Sequence, residues 1–276
     1  MSILCKKQTL DARGRFQHIS PDNAGWDSWR YVGFEAYQLE PGKSLSLPAG
    51  DTEVCMVLLA GRAHIKTDAA EFKDIGERLN PFAKVAPYSV YYPMGDTATV
   101  VALTDLEIGV CRAAIGEEGN KQLPARLISP KDCVVEHRGK GQNKRLVHHI
   151  LPETVPANSL LIVEVYTDEG CSSSYPSHKH DESRGDEETY LEETYYHRIK
   201  PSQGFAFQRV YTGDGSIDEA VAVHDGDVVK VPKGYHPVAT LAGYDNYYLN
   251  VMAGPVRQWR FSWQPEHVWV NSDDYH

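Results

Sequence analysis

Cysteine is scarce and unpatterned in this 276-residue chain. Its five cysteines, Cys5, Cys55, Cys111, Cys133 and Cys171, are odd in number, widely spaced and free of any Cys-x-x-Cys pair. That distribution fits reduced thiols and excludes both a disulfide framework and a thiolate zinc site. Long apolar runs are missing as well; nothing approaches the roughly 18 residues of a membrane-spanning helix. The first residues show no charged start, apolar centre and small-residue cleavage site, so the expected location is cytoplasmic. Basic blocks are absent, and 38 acidic residues against 28 Lys and Arg leave a net charge of −10. Nucleic acid and membrane are therefore not expected as partners. A small anionic substrate is not excluded, because bulk charge is screened beyond about 8 Å whereas a local arginine acts at contact distance.

What is present belongs to a globular protein: 41% hydrophobic and 24% charged residues, enough for a real core. The length suits one large domain or two of roughly 140 residues. Strand patterns separated by turns run through the first half, with no helical periodicity of useful length. They include 31–39, 53–59, 63–66, 85–92, 97–103 and 106–111. Segments 53–59 and 63–66 suggest a hairpin around Gly61. From Leu123 to Asn158 the composition shifts to proline, basic residues and histidine, which reads as a crossover. Its basic residues at 126–131 and 138–145 would hold an anion or form a solvated face. Strand patterns resume at 159–166, 204–211, 220–223, 226–231 and 247–252, the spacing of a sandwich or barrel.

The halves also repeat. Val90-Tyr-Tyr-Pro93-Met-Gly95-Asp-Thr97 aligns with Val229-Lys-Val-Pro232-Lys-Gly234-Tyr-His236, both with Pro-x-Gly after a β run. The expectation is an all-β chain of two related barrels, residues 1–122 and 123–276, with ligand residues only in the second.

The chemistry concentrates between Tyr175 and His197. His178 and His180, two apart, project from one face of an extended segment and can reach one ion. An acidic turn follows, in which Glu187, Glu188, Glu192 and Glu193 compete to supply a carboxylate, and His236 is a further donor. Two or three histidines plus one carboxylate, with positions left open, is a usual catalytic arrangement for zinc, manganese, iron or cobalt.

This donor pattern resembles the cupin metal motifs, in which His-x-His and a glutamate come from one strand pair and a histidine follows a Pro-x-Gly turn. Here an insertion, Asp181 to Leu191, separates His180 from the glutamate. The longer strings S-H-K-H-D, Y-L-E-E-T-Y-Y-H, G-F-A-F-Q-R-V-Y-T, V-P-K-G-Y-H-P-V and Y-Y-L-N-V-M-A-G-P resemble the 5-deoxy-glucuronate isomerases of myo-inositol breakdown. Those are relatives of the 4-deoxy-threo-hexosulose-uronate ketol-isomerases. The middle strings E-H-R-G-K-G-Q-N-K-R-L-V-H-H-I-L-P and N-S-L-L-I-V-E-V-Y-T fit the same family.

The resemblance implies two tandem cupin barrels, a divalent metal in the C-terminal one with zinc placed first, and aldose–ketose isomerisation of a small sugar acid. It implies His178, His180, Glu193 and His236 as ligands. Relatives place their glutamate directly before a strand of the form E-x-Y-x-Y, matched by Glu193-Thr-Tyr195-Tyr-His197, and alternation then turns Glu193, Tyr195 and His197 inward; Glu192 ranks second. His197 and Tyr195 are candidates for proton transfer, although a hydride shift would need neither. Arg209, beside Gln208, is the candidate clamp for the substrate carboxylate, against an internal salt bridge. Tyr195 and Tyr248 would offer hydroxyls to a sugar or line the barrel. His137, His148 and His149 are expected to be structural. An iron-dependent dioxygenase and a non-catalytic sugar-acid-binding cupin are the alternatives. Exposed strand edges leave room for a homo-oligomer.

Overall fold

In the computed structural model, which describes residues 2–272, two large antiparallel sheets lie back to back and each is closed by a smaller one. Met1 and residues 273–276, His276 among them, lie outside the described residues. The first large sheet runs Arg126–Ile128, Ser89–Tyr92, Thr52–Ala60, Leu106–Ala114, Val32–Leu39, Arg15–Ile19. The second runs Leu4–Cys5, Val228–Val231, Glu192–Lys200, Asp245–Ala253, Leu161–Thr167, Arg145–Leu151, Val134–Arg138. Four-stranded sheets close each barrel, and helix occurs among the described residues only as short 3-10 turns. None is long and apolar enough to cross a membrane.

Alternation along the strands creates three cores. Leu47, Val54, Met56, Ile65, Val100 and Ile108 fill the first barrel. Val147, Val163, Tyr195, Val229 and Met252 fill the second, and Phe34, Val57, Ile162, Tyr196 and Leu249 pack between the two. Burying side chains on both faces is what makes the central strands read as nearly continuous apolar runs.

The strands do not divide at one point in the chain. Leu4–Cys5 pairs with Val228–Val229 in the second barrel, and Arg126–Ile128 pairs with Ser89–Tyr91 in the first. Each barrel therefore borrows a strand from across the 122/123 boundary. The expected hairpin at Gly61 is also corrected. Thr52–Ala60 pairs within the large sheet, whereas Ala63–Lys66 pairs with Glu71–Ile75 and Thr97–Ala102 in the small one. Gly61 is a corner between sheets; it sits at φ 90°, and a Cβ there would meet the Asp105 carbonyl oxygen at 2.1 Å, so only glycine fits.

Two glutamates tie the barrels together in a pseudo-symmetric way. Glu192 accepts the backbone amides of Arg30, Tyr31 and Val32, the last two at 2.8 and 2.9 Å. Glu53 accepts those of Asn158, Ser159 and Leu160. Each thereby anchors the entrance to a strand of the other barrel. Between them Arg78 forms a buried pair with Glu164 at 2.8 Å, joined by His148 and the hydroxyls of Tyr166 and Tyr247.

Candidate metal centre

The strand Glu192–Lys200 sorts its side chains onto two faces, and this sets the centre. Glu192 and Tyr196 face the first barrel, where Tyr196 packs against Phe16 and Phe34. Glu193 and Tyr195 face the interior of the second. The register repeats the internal duplication. Glu193 stands opposite Val231, just before Pro232, and Val54 stands opposite Tyr92, just before Pro93. The first barrel thus has Val54 where the second has Glu193, and Thr97 where it has His236.

The insertion between His180 and Glu193 is looped out and pinned. Buried Glu188 accepts from Lys179 Nζ at 2.9 Å, the Asp181 amide at 2.9 Å and Arg184 at 2.6 Å. Glu187 is exposed beside Arg184. Both are thereby taken up elsewhere, as Glu192 is. At the base of the loop the Leu191 amide donates to the His180 carbonyl, and His180 Nδ1 donates to the Leu191 carbonyl at 3.0 Å, which sets His180 beside Glu193.

His178, His180 and His236 bring one ring nitrogen each within 4.8 Å of one another. The Glu193 oxygen Oε2 lies 3.1 Å from His180 Nε2 and 3.3 Å from His236 Nε2. His236 donates through Nδ1 to the Gly234 carbonyl at 2.8 Å. Gly234, at φ 94°, approaches Tyr211 so closely that a Cβ would lie 2.4 Å from its carbonyl oxygen. With Nδ1 of both rings committed as donors, Nε2 of each presents a lone pair to a carboxylate oxygen. His178 Nδ1 and His236 Nε2 are buried without a hydrogen-bond partner. A cation among these atoms resolves the facing lone pairs, so the residues fit a metal ion. Hydrogen bonds of this kind to backbone carbonyls orient ligating histidines in metalloproteins.

Electrostatics agree with that fit at His178 and His236, whose rings are held neutral. Burial, then the neighbouring His236 and His180, hold His178 well below the usual imidazole range. Burial also pulls His236 down to about 4. Burial acts on His180 in the same direction, but the bond to Glu193 outweighs it and raises that group. Neutral imidazoles are the ligating form.

Around the histidines the interior is aromatic and hydroxylated. Phe261 and Trp263 lie 4.8 and 5.6 Å from the His178 ring, because Ser262–Trp263 pairs with His178–Lys179. Sequence reasoning did not include these two; the only signal was the aromatic cluster W-R-F-S-W. Tyr195 lies 5.8 Å from the His236 ring, and its hydroxyl bonds Ser174 Oγ at 2.9 Å. Tyr248 lies 4.9 Å from Tyr195. Burial, followed by the charge of Glu193, pushes the Tyr195 hydroxyl well above the ordinary phenol range.

His197 stacks on Tyr195, with its nitrogens 3.2 Å from Asn246 Oδ1 and 2.9 Å from Gln208 Oε1. Gln208 is buried and reaches towards the His236 carbonyl at 3.5 Å. His197 and Gln208 therefore support the ring cluster from below. Arg209 points the other way. Its guanidinium makes a two-pronged bond to Asp218 at 2.8 and 2.9 Å on the outer surface, with 47% of its side chain exposed. The period-two alternation that buries Gln208 sends Arg209 outward, so the structure does not bring the expected carboxylate clamp to the centre. His148 and His149 bond Glu164 and Glu136.

The fold and centre define a bicupin with one candidate metal site among the described residues, in its second barrel. The chain belongs to the KduI/IolB family, whose model matches residues 3–270. It is 54% identical over 268 residues to a Geobacillus thermodenitrificans protein named 5-deoxy-glucuronate isomerase, covering 97% of this chain and 95% of that one. A Bacillus subtilis protein of the same name is 46% identical over 241 residues, 87% and 88% of the two chains. An IolB-like protein of Salmonella typhimurium superposes with a TM-score of 0.93 at 56% identity, over 99% of this chain and 100% of that one. The oxalate decarboxylase of Lactobacillus farciminis shares the fold alone, with a TM-score of 0.67 at 14% identity over 96% and 89% of the chains.

Proposed function

We propose that this chain is an aldose–ketose isomerase that converts 5-deoxy-D-glucuronate into 5-dehydro-2-deoxy-D-gluconate, a step in myo-inositol breakdown. The observation that carries the reading is the convergence of His178, His180, His236 and Glu193 in a chain so similar to proteins named for that activity. Those four residues would hold a divalent ion, zinc first and manganese, iron or cobalt next. Such an ion supplies Lewis acidity that polarises a carbonyl and stabilises negative charge on adjacent oxygens.

The protein's own groups do the rest. Phe261 and Trp263 shield His178 and limit water around the reacting end. Tyr195, braced by Ser174 and by the stacked His197, sets a hydroxyl beside the histidines where it can hold a proton on a substrate oxygen. His197 and Gln208 act by positioning. The hydrogen that leaves C2 must arrive at C1, either as a proton that exchanges with solvent or directly as hydride.

Incubation of the metal-loaded protein with 5-deoxy-D-glucuronate in deuterated water, followed by NMR, tests substrate and reaction together. The expected result is loss of the aldehyde and appearance of the 2-ketone, with deuterium at C1 if a proton is transferred. No conversion by protein carrying stoichiometric metal would overturn the reading.

A further inference from the structure

Several buried or half-buried arginines in this acidic chain have acids beside them, and Arg257 is satisfied by the carbonyls of Leu151, Pro152, Glu153 and Leu160. Arg78 meets Glu164, Arg198 meets Glu107 and Asp225, and Arg112 meets Glu35. Arg145 departs from that pattern. It opens the strand Arg145–Leu151, and the alternation that sends Val147 into the second barrel's core directs Arg145 to the same face. It is half-buried. Its hydrogen bonds leave from Nη1 alone, to the backbone and side-chain oxygens of Asn143, both at 2.9 Å. Among the described residues no carboxylate pairs with it. The Nε and Nη2 edge, the one whose two parallel donors match a carboxylate, has no acceptor among the described residues.

Its surroundings are those of the candidate centre. Arg138 stands directly across the hairpin, held by Glu136 at 2.7 Å with its guanidinium 5.5 Å from the Trp259 ring. Trp259 in turn lies 6.0 Å from Phe261, whose ring is 4.8 Å from that of His178. Ser173 and Asn250 lie beside the hydroxyls of Tyr248 and Tyr195 as hydrogen-bonding neighbours. An interior with an unpaired guanidinium fork and two phenols flanked by Ser173 and Asn250 is suited to a polyhydroxylated anion.

We propose that Arg145, backed by Arg138, receives the carboxylate of the substrate, so that a sugar acid extends from the histidine cluster across Tyr195 and Tyr248 to the 134–151 hairpin. The assignment rests on the isomerase reading above and takes the role that Arg209 cannot fill.

The test compares kcat and KM for 5-deoxy-D-glucuronate and for 5-deoxy-D-glucose, in which a hydroxymethyl group replaces the carboxylate. Arg145→Met should raise KM for the uronate about 10- to 100-fold, the range of a charged hydrogen-bonded contact. Its kinetics on the neutral sugar should stay within about twofold, and its metal content should be unchanged. Arg145→Lys, which keeps the charge but not the fork, should fall between. An unchanged uronate KM, or equal losses on both sugars, would overturn the assignment. Should Arg145→Met not fold, Arg145→Lys decides: it must narrow the wild-type preference for uronate over neutral sugar, and an unaltered preference refutes the clamp. If the wild-type protein converts neither sugar, the isomerase reading fails separately. Calorimetric binding of D-glucuronate to wild type and Arg145→Lys then decides for Arg145, equal affinities being the refuting result.

Discussion

Glu192 and Glu193 are adjacent, chemically identical and both buried, yet the structure gives them opposite tasks, which makes their alanine variants a sharp comparison. Glu192→Ala strips the acceptor from three amides at the barrel interface, those of Arg30, Tyr31 and Val32. A buried donor left unsatisfied costs about 1–3 kcal/mol. Burial pushes the Glu192 carboxyl above its ordinary value despite those three bonds, so part of the gain is offset in the native protein. The lower end of the range for each amide, ~3 kcal/mol in all, is the expected loss. At about 2–4 °C per kcal/mol for a chain of this size, Tm should fall by roughly 6–12 °C. The folded fraction should keep its metal and its KM. Glu193→Ala should do the reverse. It removes the carboxylate 3.1 and 3.3 Å from two imidazoles, and should lower metal affinity by more than about 100-fold, beyond the effect of losing a supporting bond. Its apo Tm should move little. Calorimetry and metal analysis on the two purified variants measure both quantities. Metal loss in Glu192→Ala, or stoichiometric metal in Glu193→Ala, would refute the assignment of faces.

Three further outcomes are expected. His178→Ala and His236→Ala should each abolish stoichiometric divalent metal and turnover together, read by elemental analysis and the NMR assay; full activity in a chelated, metal-free sample would contradict the centre. Arg209→Ala should leave KM for the sugar acid unchanged, because its guanidinium is bound to Asp218 on the outer surface; a large rise would return it to the site. Acid should loosen the barrel interface at Glu164. Burial alone would raise this carboxyl, but Arg78 and His148 outweigh it and hold it down at about 2. Its contribution to stability is complete above the ordinary value of 4.5 and is lost as pH falls from there through about 2. A Glu164→Gln variant should show a flatter decline of Tm below about pH 5.

Much of this was legible in the order of residues because local periodicity carries it. Alternation put Glu192 and Glu193 on opposite faces, the resemblance to the isomerases chose Glu193 as the inward one, and the Pro-x-Gly repeat exposed the duplication and the loss of His236's counterpart at Thr97. Arg209 shows where that reasoning stops. Its strand was recognised, but which face met the centre depended on its pairing with Asp218–His224 and Val238–Thr240. Gly61 shows the same limit, since a tight hairpin and a corner between two sheets both require a glycine at positive φ.

By itself, then, the sequence determined that the chain is β throughout, that it is duplicated, and that its metal-type donors belong to the second copy, because each follows from patterns within a few residues. Only the tertiary structure decided that Leu4–Cys5 completes the second barrel, that Glu53 and Glu192 clasp opposite barrels, and that Arg145 has no carboxylate partner among the described residues. Those relations join residues up to more than two hundred positions apart. They arise when buried polar groups must find partners wherever the folded chain brings them, and no local pattern records that search.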